Sequence, residues 1–345
     1  MNKFKIKDRN IGYNEIPLVI AEIGINHGGS LKEALLIADS AINAGAEIIK
    51  HQTHIVDDEM SSEAKKVVPG NSTKSIYQIM QECSLSEEEE NELKEYIESR
   101  GVIFISTPFS RAAADRLEKM DVPAYKIGSG ECNNYPLIHH IAQFGKPILL
   151  STGMNSIDSI KKAENIFNSY NIPYALMHTT NIYPTPNRLI RLGALQEMQK
   201  KFPNTVVGLS DHSISNHACF GAVALGASIL ERHFTDSMDR KGPDIICSMD
   251  SEKLNELIEG SRILFEQRGG KKIPINEEKI TMDFAFATIV TTKPVKKDET
   301  FTPKNIWVKR PGTKGIKAEY YDQILGKKSK KDIQMDQHVE WNDVY

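Results

Sequence analysis

The sequence predicts an α/β protein: a closed (β/α)8 barrel of the TIM type followed by a small C-terminal domain of β character. Three observations carry this reading. Eight short apolar runs alternate with helix-like stretches between residues 18 and 234. Most of those runs are apolar on both faces, as in a parallel sheet covered by helices. From residue 284 the long helical patterns stop, and short strand-like pieces separated by turn residues take over. Eight strand–helix units fit a barrel in both length and order. An open doubly wound sheet is the alternative, but it calls for a glycine-rich phosphate turn after the first strand. GINHGGS (24–30) has the glycines without the G-x-G-x-x-G spacing.

Strands are expected at 18–24, 47–52, 102–107, 124–129, 147–152, 174–179, 206–211 and 229–234. LKEALLIADSAINAG (31–45) repeats apolar residues at helical spacing and stops at Gly45. SEEEENELKEYIESRG (86–101) opens with acidic residues, which complement the positive end of a helix dipole, and ends at Gly101. SRAAADRLEKMD (110–121) and SIDSIKKAENIFNSY (156–170) follow the same pattern, and a last helix is expected over 251–267. RGGKKIPINEEK (268–279) is rich in Gly, Lys and Pro and reads as a linker. The expected division is therefore a barrel over 1–268, a linker over 269–283 and a small domain over 284–345. A core that small is marginal alone, so docking on another subunit would help it.

Composition narrows the function classes. The chain of 345 residues is 40% hydrophobic and 26% charged, ordinary values for a soluble globular protein. Its formal net charge of −3 offers no basic field, so nucleic acid is not an expected partner. The opening MNKFKIKDRN has no apolar core region or cleavage signal, and the apolar run 219–230 is too short to span a bilayer. A cytoplasmic protein without a membrane partner is expected. Cys83, Cys132, Cys219 and Cys247 show neither zinc spacing nor a disulfide framework, so reduced thiols are expected.

Chemistry is signalled by misplaced charge. Glu22, Lys50, Lys126, His212, Glu231 and His233 sit where core side chains belong. Ionised groups are rarely buried without a partner. One such group near the end of strand after strand points to a place where strand ends converge. Alternation puts Glu22, Gly24 and Asn26 on one face of the first strand and Lys50 with Gln52 on one face of the second. It does the same for Gly208, Ser210 and His212 on the seventh, and for Glu231 and His233 on the eighth. In a barrel these C-terminal ends form the catalytic mouth.

Lys50 and Lys126, with Thr107, Ser129, Ser151 and Ser210, offer cations and hydroxyls suited to a phosphate or carboxylate. The competing reading has Lys50 snorkelling outward and the hydroxyls capping helices. His212 and His233 come from neighbouring strands and suit an open, exchangeable divalent-metal site, closer to Mn2+ or Mg2+ than to structural zinc. Two satisfied core or loop histidines are the competing reading. His51 alternates away from Lys50 and faces the helices. Glu22 and Glu231 are candidates for acid–base work or for pairing with the lysines. The turn-rich loops 69–71, 180–186 and 239–244 are placed to contact substrate. Arg310, in WVKRPG (307–312), either reaches a neighbour's pocket or is an exposed surface arginine.

Ordered motifs carry a further reading. They are EIGINH (22–27), KHQTHIV (50–56), FISTPFS (104–110), YKIGSGECNNYPL (125–137), LSTGMN (150–155), TNIYPTP (180–186), GLSDH (208–212), ERHFTD (231–236), GPDI (242–245), DFAFA (283–287) and WVKRPG. Together the chain resembles the sialic acid synthase family, specifically the bacterial N-acetylneuraminate synthases, essentially end to end. The resemblance implies a (β/α)8 barrel followed by an antifreeze-like (SAF-type) domain, in a homodimer whose C-terminal domains are swapped over the partner barrels. It implies condensation of phosphoenolpyruvate with N-acetylmannosamine, giving N-acetylneuraminate and phosphate. A divalent metal is required, Mn2+ first, with Mg2+ or Co2+ as alternatives.

Carried over by motif, Lys50, Thr107, Lys126, Ser129, Ser151 and Ser210 hold phosphoenolpyruvate, and His212 and His233 bind the metal. Glu22, Asn71, Asn181, Tyr183 and Asp244 line the sugar site with Gln52 nearby, and Glu131 and Glu231 complete the substrate-binding set. Arg310 comes from the other subunit to hold the N-acetyl group. Glu22, Lys50, Lys126, His212 and His233 form the catalytic set. Residues 313–345 follow the family pattern loosely. Rival functions are the same chemistry on a related sugar such as the legionaminic acid precursor, a metal-dependent pyruvate aldolase, and a non-catalytic sugar- or ice-binding protein.

Overall fold

The computed structural model describes residues 3–69 and 73–345. The chain divides into two compact units, residues 1–269 and 270–345. The first begins with an antiparallel hairpin, β1 (Phe4–Ile6) and β2 (Arg9–Ile11), absent from the expected element order. Eight parallel strands follow: β3 (Leu18–Gly24), β4 (Ile48–Thr53), β5 (Ile103–Pro108), β6 (Tyr125–Ile127), β7 (Ile148–Ser151), β8 (Tyr174–Thr179), β9 (Val206–Asp211) and β10 (Ile229–His233). They close into a barrel in which β10 pairs with β3. The sequence reading of an eight-stranded barrel is borne out, and the open sheet is excluded.

Alternation sorts the barrel interior into layers. Towards the N-terminal ends, Leu18, Ile20, Ile48, Ile105, Leu149 and Ile229 fill the interior, and Ile6 and Ile11 of the hairpin pack with them. Two positions further along the same strands the interior turns polar. The opposite faces are apolar and meet the helices in a second cluster that includes Ile49, Phe104, Leu150, Leu176, Val207 and Leu230. β6 is shorter than expected because Ser129–Glu131 turns away as a 3-10 helix.

The expected helices appear as Leu31–Asn43, Glu87–Ser99, Arg111–Lys119, Ile157–Ser169 and Ser251–Gln267. Each is preceded by a Ser or Asp whose side chain accepts a hydrogen bond from the first turn, worth about 1 kcal/mol apiece. Four further helices of eight or more residues among the described residues, Ile76–Cys83, Tyr135–Ala142, Leu192–Lys201 and His217–Ala224, lay outside the sequence reading. HACFGAVA (217–224) hides because it has small or apolar residues on nearly every side, which leaves no helical period to see.

The second unit contains β11 (Thr288–Thr291) and β12 (Ile306–Lys309), paired antiparallel, with isolated bridges such as Val295 to Ile333 and Ser329 to Val344. Ile289, Phe301, Ile306, Ile316, Ile324 and Val339 form its core. Part of the segment expected as a linker is ordered into a helix, Lys279–Ala285. The Glu278 carboxylate accepts the Ile275 N–H, and Lys279 pairs with Asp283 one turn on at 2.9 Å, local interactions that favour a helix. Among the described residues no helix is long and apolar enough to cross a membrane, and all four cysteines are unpaired.

Both tryptophans, Trp307 and Trp341, lie in the second unit. Phe301→Ala is expected to lower its stability by about 3–5 kcal/mol, read as a lower urea midpoint of the tryptophan fluorescence transition. An unchanged midpoint would show that Phe301 does not anchor this core.

Candidate active site

The polar layer at the C-terminal strand ends consists of Glu22, Lys50, Thr107, Lys126, Ser151, Thr179, Ser210 and Glu231, each no more than 5% exposed. Together with Gln52, Ser129, Glu131, Asn181, Tyr183, His212 and His233 they line one cavity of about 330 Å³. Residues from all eight strands or their following loops thus meet at one mouth. Lys50 is 4% exposed and points inward, so it does not snorkel.

Charge in this layer is paired. Lys50 Nζ lies 2.7 Å from Glu22 Oε2 and 3.7 Å from Glu231 Oε1, and it donates to Thr107 Oγ1 at 3.1 Å. Lys126 Nζ lies 3.8 Å from Glu231 Oε1 and donates to Ser151 Oγ at 2.6 Å. Ser210 Oγ donates to Glu231 Oε1 at 3.1 Å, and Gln52 Nε2 donates to Glu22 Oε1 at 2.7 Å. The protonation balance follows from these contacts. Burial, reinforced by the charge of Glu231 and opposed by Lys50, pushes the Glu22 carboxyl up to about 7. Burial also works against the charge of Glu231, yet Lys126 and Lys50 hold its pKa below the ordinary value. Burial opposes the Lys50 charge, but Glu22 and Glu231 keep it firmly protonated. Lys126 is pulled down to about 8, chiefly by burial. Two further carboxyls near the mouth, Glu131 at about 7 and Asp244 at about 6, are raised by burial.

Two glycines make room for this packing. Gly24 takes a φ of +49° where the β3–β4 register shifts, and a Cβ there would lie 3.0 Å from Glu22 Oε1. At Gly153 a Cβ would meet Asn181 Oδ1 at 1.8 Å, and the Gly153 N–H donates to Ser129 Oγ at 3.1 Å.

In the same cavity the rings of His212 and His233 lie 5.5 Å apart, and Tyr183 stacks on His212 at 4.1 Å. Burial lowers both imidazoles, His212 to about 4 and His233 to about 3, so both are neutral at neutral pH. His212 Nδ1–H donates to the Thr180 carbonyl at 2.9 Å, which leaves Nε2 as the ring's lone-pair nitrogen. The buried Nδ1 of His233 has no hydrogen-bond partner and stands 3.7 Å from Asp244 Oδ2. Neutral imidazoles, one oriented by a backbone carbonyl and one with an orphaned nitrogen, fit a divalent cation. Among the described residues no group of three or more His, Cys, Asp or Glu is arranged to hold a metal. A cation held by the two histidines would take its remaining ligands from water or substrate.

Most expected site residues converge, with four exceptions. Asn71 lies outside the described residues. Arg310 is an exposed residue of the second unit. Asp244 is not among the residues lining the cavity, although its Oδ2 lies 3.7 Å from His233 Nδ1. Asn26, expected to follow Glu22 into the pocket, instead donates to the Phe234 carbonyl and Ser248 Oγ, because β3 ends at Gly24 and its alternation ends there too. Thr179, Phe109 and Met154 also line the cavity and were missed. Thr179 shares the inward parity of Ala175 and Met177 on β8, so alternation alone would have found it. His54 stacks on Phe109 at 4.4 Å and bridges Glu59 to Gln52 at 2.8 and 3.2 Å.

Comparison with known proteins bears on this geometry. The profile of the NeuB family matches residues 37–273, and that of the SAF domain matches residues 286–344. An uncharacterised protein of Methanocaldococcus jannaschii is 37% identical over 346 residues, covering 100% of this chain and 99% of its own. An N,N'-diacetyllegionaminic acid synthase of Campylobacter jejuni is 33% identical over 332 residues, covering 93% of this chain and 98% of its own. The solved structure of N-acetylneuraminic acid (sialic acid) synthetase from Leptospira borgpetersenii in complex with citrate superposes with a TM-score of 0.75 at 28% identity. It covers 81% of this chain and 95% of that one.

The lysine side of the cavity predicts a pH-dependent anion site. Lys126 is protonated below about 8, so sulfate is expected to weaken as pH rises through that value. Lys126→Met is expected to abolish the decline. Calorimetric titration from about pH 6 to about pH 10 covers both sides of the transition. A wild-type affinity that holds steady above pH 8 contradicts the assignment.

Proposed function

The chain belongs to the NeuB family, and on that premise we propose that it is a nonulosonic acid synthase that condenses phosphoenolpyruvate with N-acetylmannosamine to give N-acetylneuraminate and phosphate. The observation that carries the reading is one cavity lined by two buried lysines and two neutral imidazoles. The lysine wall suits the phosphate and carboxylate of phosphoenolpyruvate. The histidine wall suits a divalent cation beside a sugar aldehyde. A non-catalytic binding role leaves such a buried, titratable arrangement without a purpose. A second reading, with a 2,4-diacetamido-6-deoxy sugar as acceptor, is favoured by the 33% identity to the N,N'-diacetyllegionaminic acid synthase.

In the proposed reaction, C3 of phosphoenolpyruvate bonds to the aldehyde carbon, whose oxygen gains a proton. Water adds at C2 and loses one proton, and the bond from C2 to the phosphate oxygen then breaks as the new C2 hydroxyl gives its remaining proton to the departing phosphate, leaving the C2 ketone. Lys50 and Lys126, with Thr107, Ser129 and Ser151, hold the phosphate and carboxylate and stabilise the departing charge. Glu22, with its pKa near neutrality, accepts the proton of the attacking water. Asn181 and Tyr183 line the same cavity and orient the sugar. His212 and His233 would hold Mn2+, or Mg2+ or Co2+ in its place, and a bound cation supplies Lewis-acid polarisation of a carbonyl oxygen. The resemblance also supports a homodimer in which Arg310 of each copy serves the sugar site of the other.

The direct test supplies phosphoenolpyruvate, Mn2+ and either sugar, then identifies the nine-carbon acid by mass. Phosphate release that needs no sugar, or no release with either sugar, sinks the reading. Product formed when pyruvate replaces phosphoenolpyruvate, with no phosphate released, favours a pyruvate aldolase instead. Lys126→Met is expected to lower kcat/KM for phosphoenolpyruvate on the order of 100-fold or more. With Glu22 as the base, kcat/KM is expected to rise as pH passes through about 7, because the ionised form is required above that pKa. Glu22→Gln should remove that limb, and a limb that survives the substitution belongs to another group. For the dimer, mixing Arg310→Ala with Lys126→Met subunits is expected to restore activity. No recovery in confirmed mixed dimers would remove the contribution across subunits.

A further inference from the structure

Behind the two histidines, on the outer face of the barrel, lies a buried guanidinium. Arg232 stands between Glu231 and His233 on β10, so alternation turns it away from the cavity. It is 1% exposed and ranks among the largest fully buried side chains. Its Nη1 donates to Asn216 Oδ1 at 2.6 Å, and its Nη2 donates to the carbonyls of Ser213 at 2.6 Å and Cys247 at 3.4 Å. Its Nε lies 3.5 Å from Asp211 Oδ2. Asp211 holds the matching outward position between Ser210 and His212 on β9. Its carboxylate accepts the Ser213 N–H at 3.1 Å and the Ser213 hydroxyl at 2.7 Å.

Three of the four partners of Arg232, Asp211, Ser213 and Cys247, sit on segments that carry part of the histidine site, and the fourth, Asn216, precedes the helix His217–Ala224. Asp211 and Ser213 flank His212. Arg232 itself precedes His233. Cys247 follows Asp244, whose carboxylate faces His233 Nδ1. The ladder between β9 and β10 runs from Leu230 opposite Leu209 to Arg232 opposite Asp211 and stops there. That is one residue short of both histidines, so the separation of the two rings is not set by pairing between their own strands. The guanidinium joins the segments at the point where the ladder ends. A buried cation is tolerated only while its hydrogen-bond partners stay in place, so Arg232 holds all three segments to one geometry.

We propose that Arg232, together with Asp211, is the positioning residue that sets the spacing of His212, His233 and Asp244 and thereby the affinity of the divalent-cation site. This rests on the reading that the two histidines hold the cation. Glu231, which precedes Arg232, pairs with both lysines at 3.7 and 3.8 Å, but Lys50 is also held by Glu22 and Thr107 and Lys126 by Ser151, so anion affinity should change little when Arg232 is lost.

The test titrates Mn2+ into the full-length protein and reads the free ion by electron paramagnetic resonance, with sulfate affinity and thermal unfolding measured in parallel. Arg232→Met is expected to weaken Mn2+ binding about 10- to 100-fold while sulfate affinity stays within about twofold. Arg232→Lys is expected not to rescue, because one ammonium cannot span Asn216, Ser213 and Cys247 as a guanidinium fork does. Unchanged Mn2+ affinity in folded Arg232→Met, or equal loss of Mn2+ and sulfate binding, overturns the proposal. If that variant does not fold, Asp211→Asn decides: several-fold weaker Mn2+ binding supports the proposal, and unchanged binding overturns it. His212→Ala separates the two levels. Wild-type binding that ignores His212→Ala overturns the cation reading and this inference with it. Binding that needs His212 but ignores Arg232 overturns the positioning role alone.

Discussion

The need to pair buried charge governs the mouth of this barrel. Two lysines and two glutamates occupy one ring of inward positions, and none of the four is more than 5% exposed. An unpaired ion there would cost several kcal/mol, so each must lie close to an opposite charge, and each does. The ring is neutral when all four are ionised. It becomes positive when Glu22 takes a proton, and its pKa near 7 makes that change accessible at neutral pH.

Strand alternation then divides the labour between faces. Inward positions carry apolar side chains in the lower layers and reactive groups at the top. Outward positions carry the apolar contacts to the helices, with a few polar seams. Behind β4, His51 meets His27 at 3.3 Å, and Glu90 pairs with Arg116 at 3.3 Å. Burial lowers His27 to about 4 and His51 well below its ordinary value, while it raises Glu90 to about 8. Neutral forms therefore dominate that seam. Behind β9 and β10 the seam is ionic, and it lies directly beneath the two histidines. The same rule that sends His212 and His233 into the cavity sends Asp211 and Arg232 out of it.

The two walls of the cavity differ in kind. The lysine wall draws on β4 to β7 and is built from charge and hydroxyls. The histidine wall draws on β8 to β10 and their loops and is built from neutral rings, with Tyr183 stacked on His212. Burial produces both outcomes. At Lys50 two carboxylates close by outweigh it, whereas at the histidines Glu231, Asp211 and Asp244 offset too little of it, so they lose their charge.

The sequence alone determined the barrel, the order of its strands and the face on which Glu22, Lys50, Lys126, His212, Glu231 and His233 lie. Those are local properties, because a strand's period of two and a helix's period of 3.6 are written in neighbouring residues. Only the tertiary structure decided which charges pair, that Ile6 and Ile11 join the barrel core, that Asn26 turns aside, and that Arg232 lies behind both histidines. Each of these depends on closing β10 against β3, which sets His233 beside Glu22. Contacts between segments so far apart in the chain follow from how the sheet closes, which no local pattern encodes.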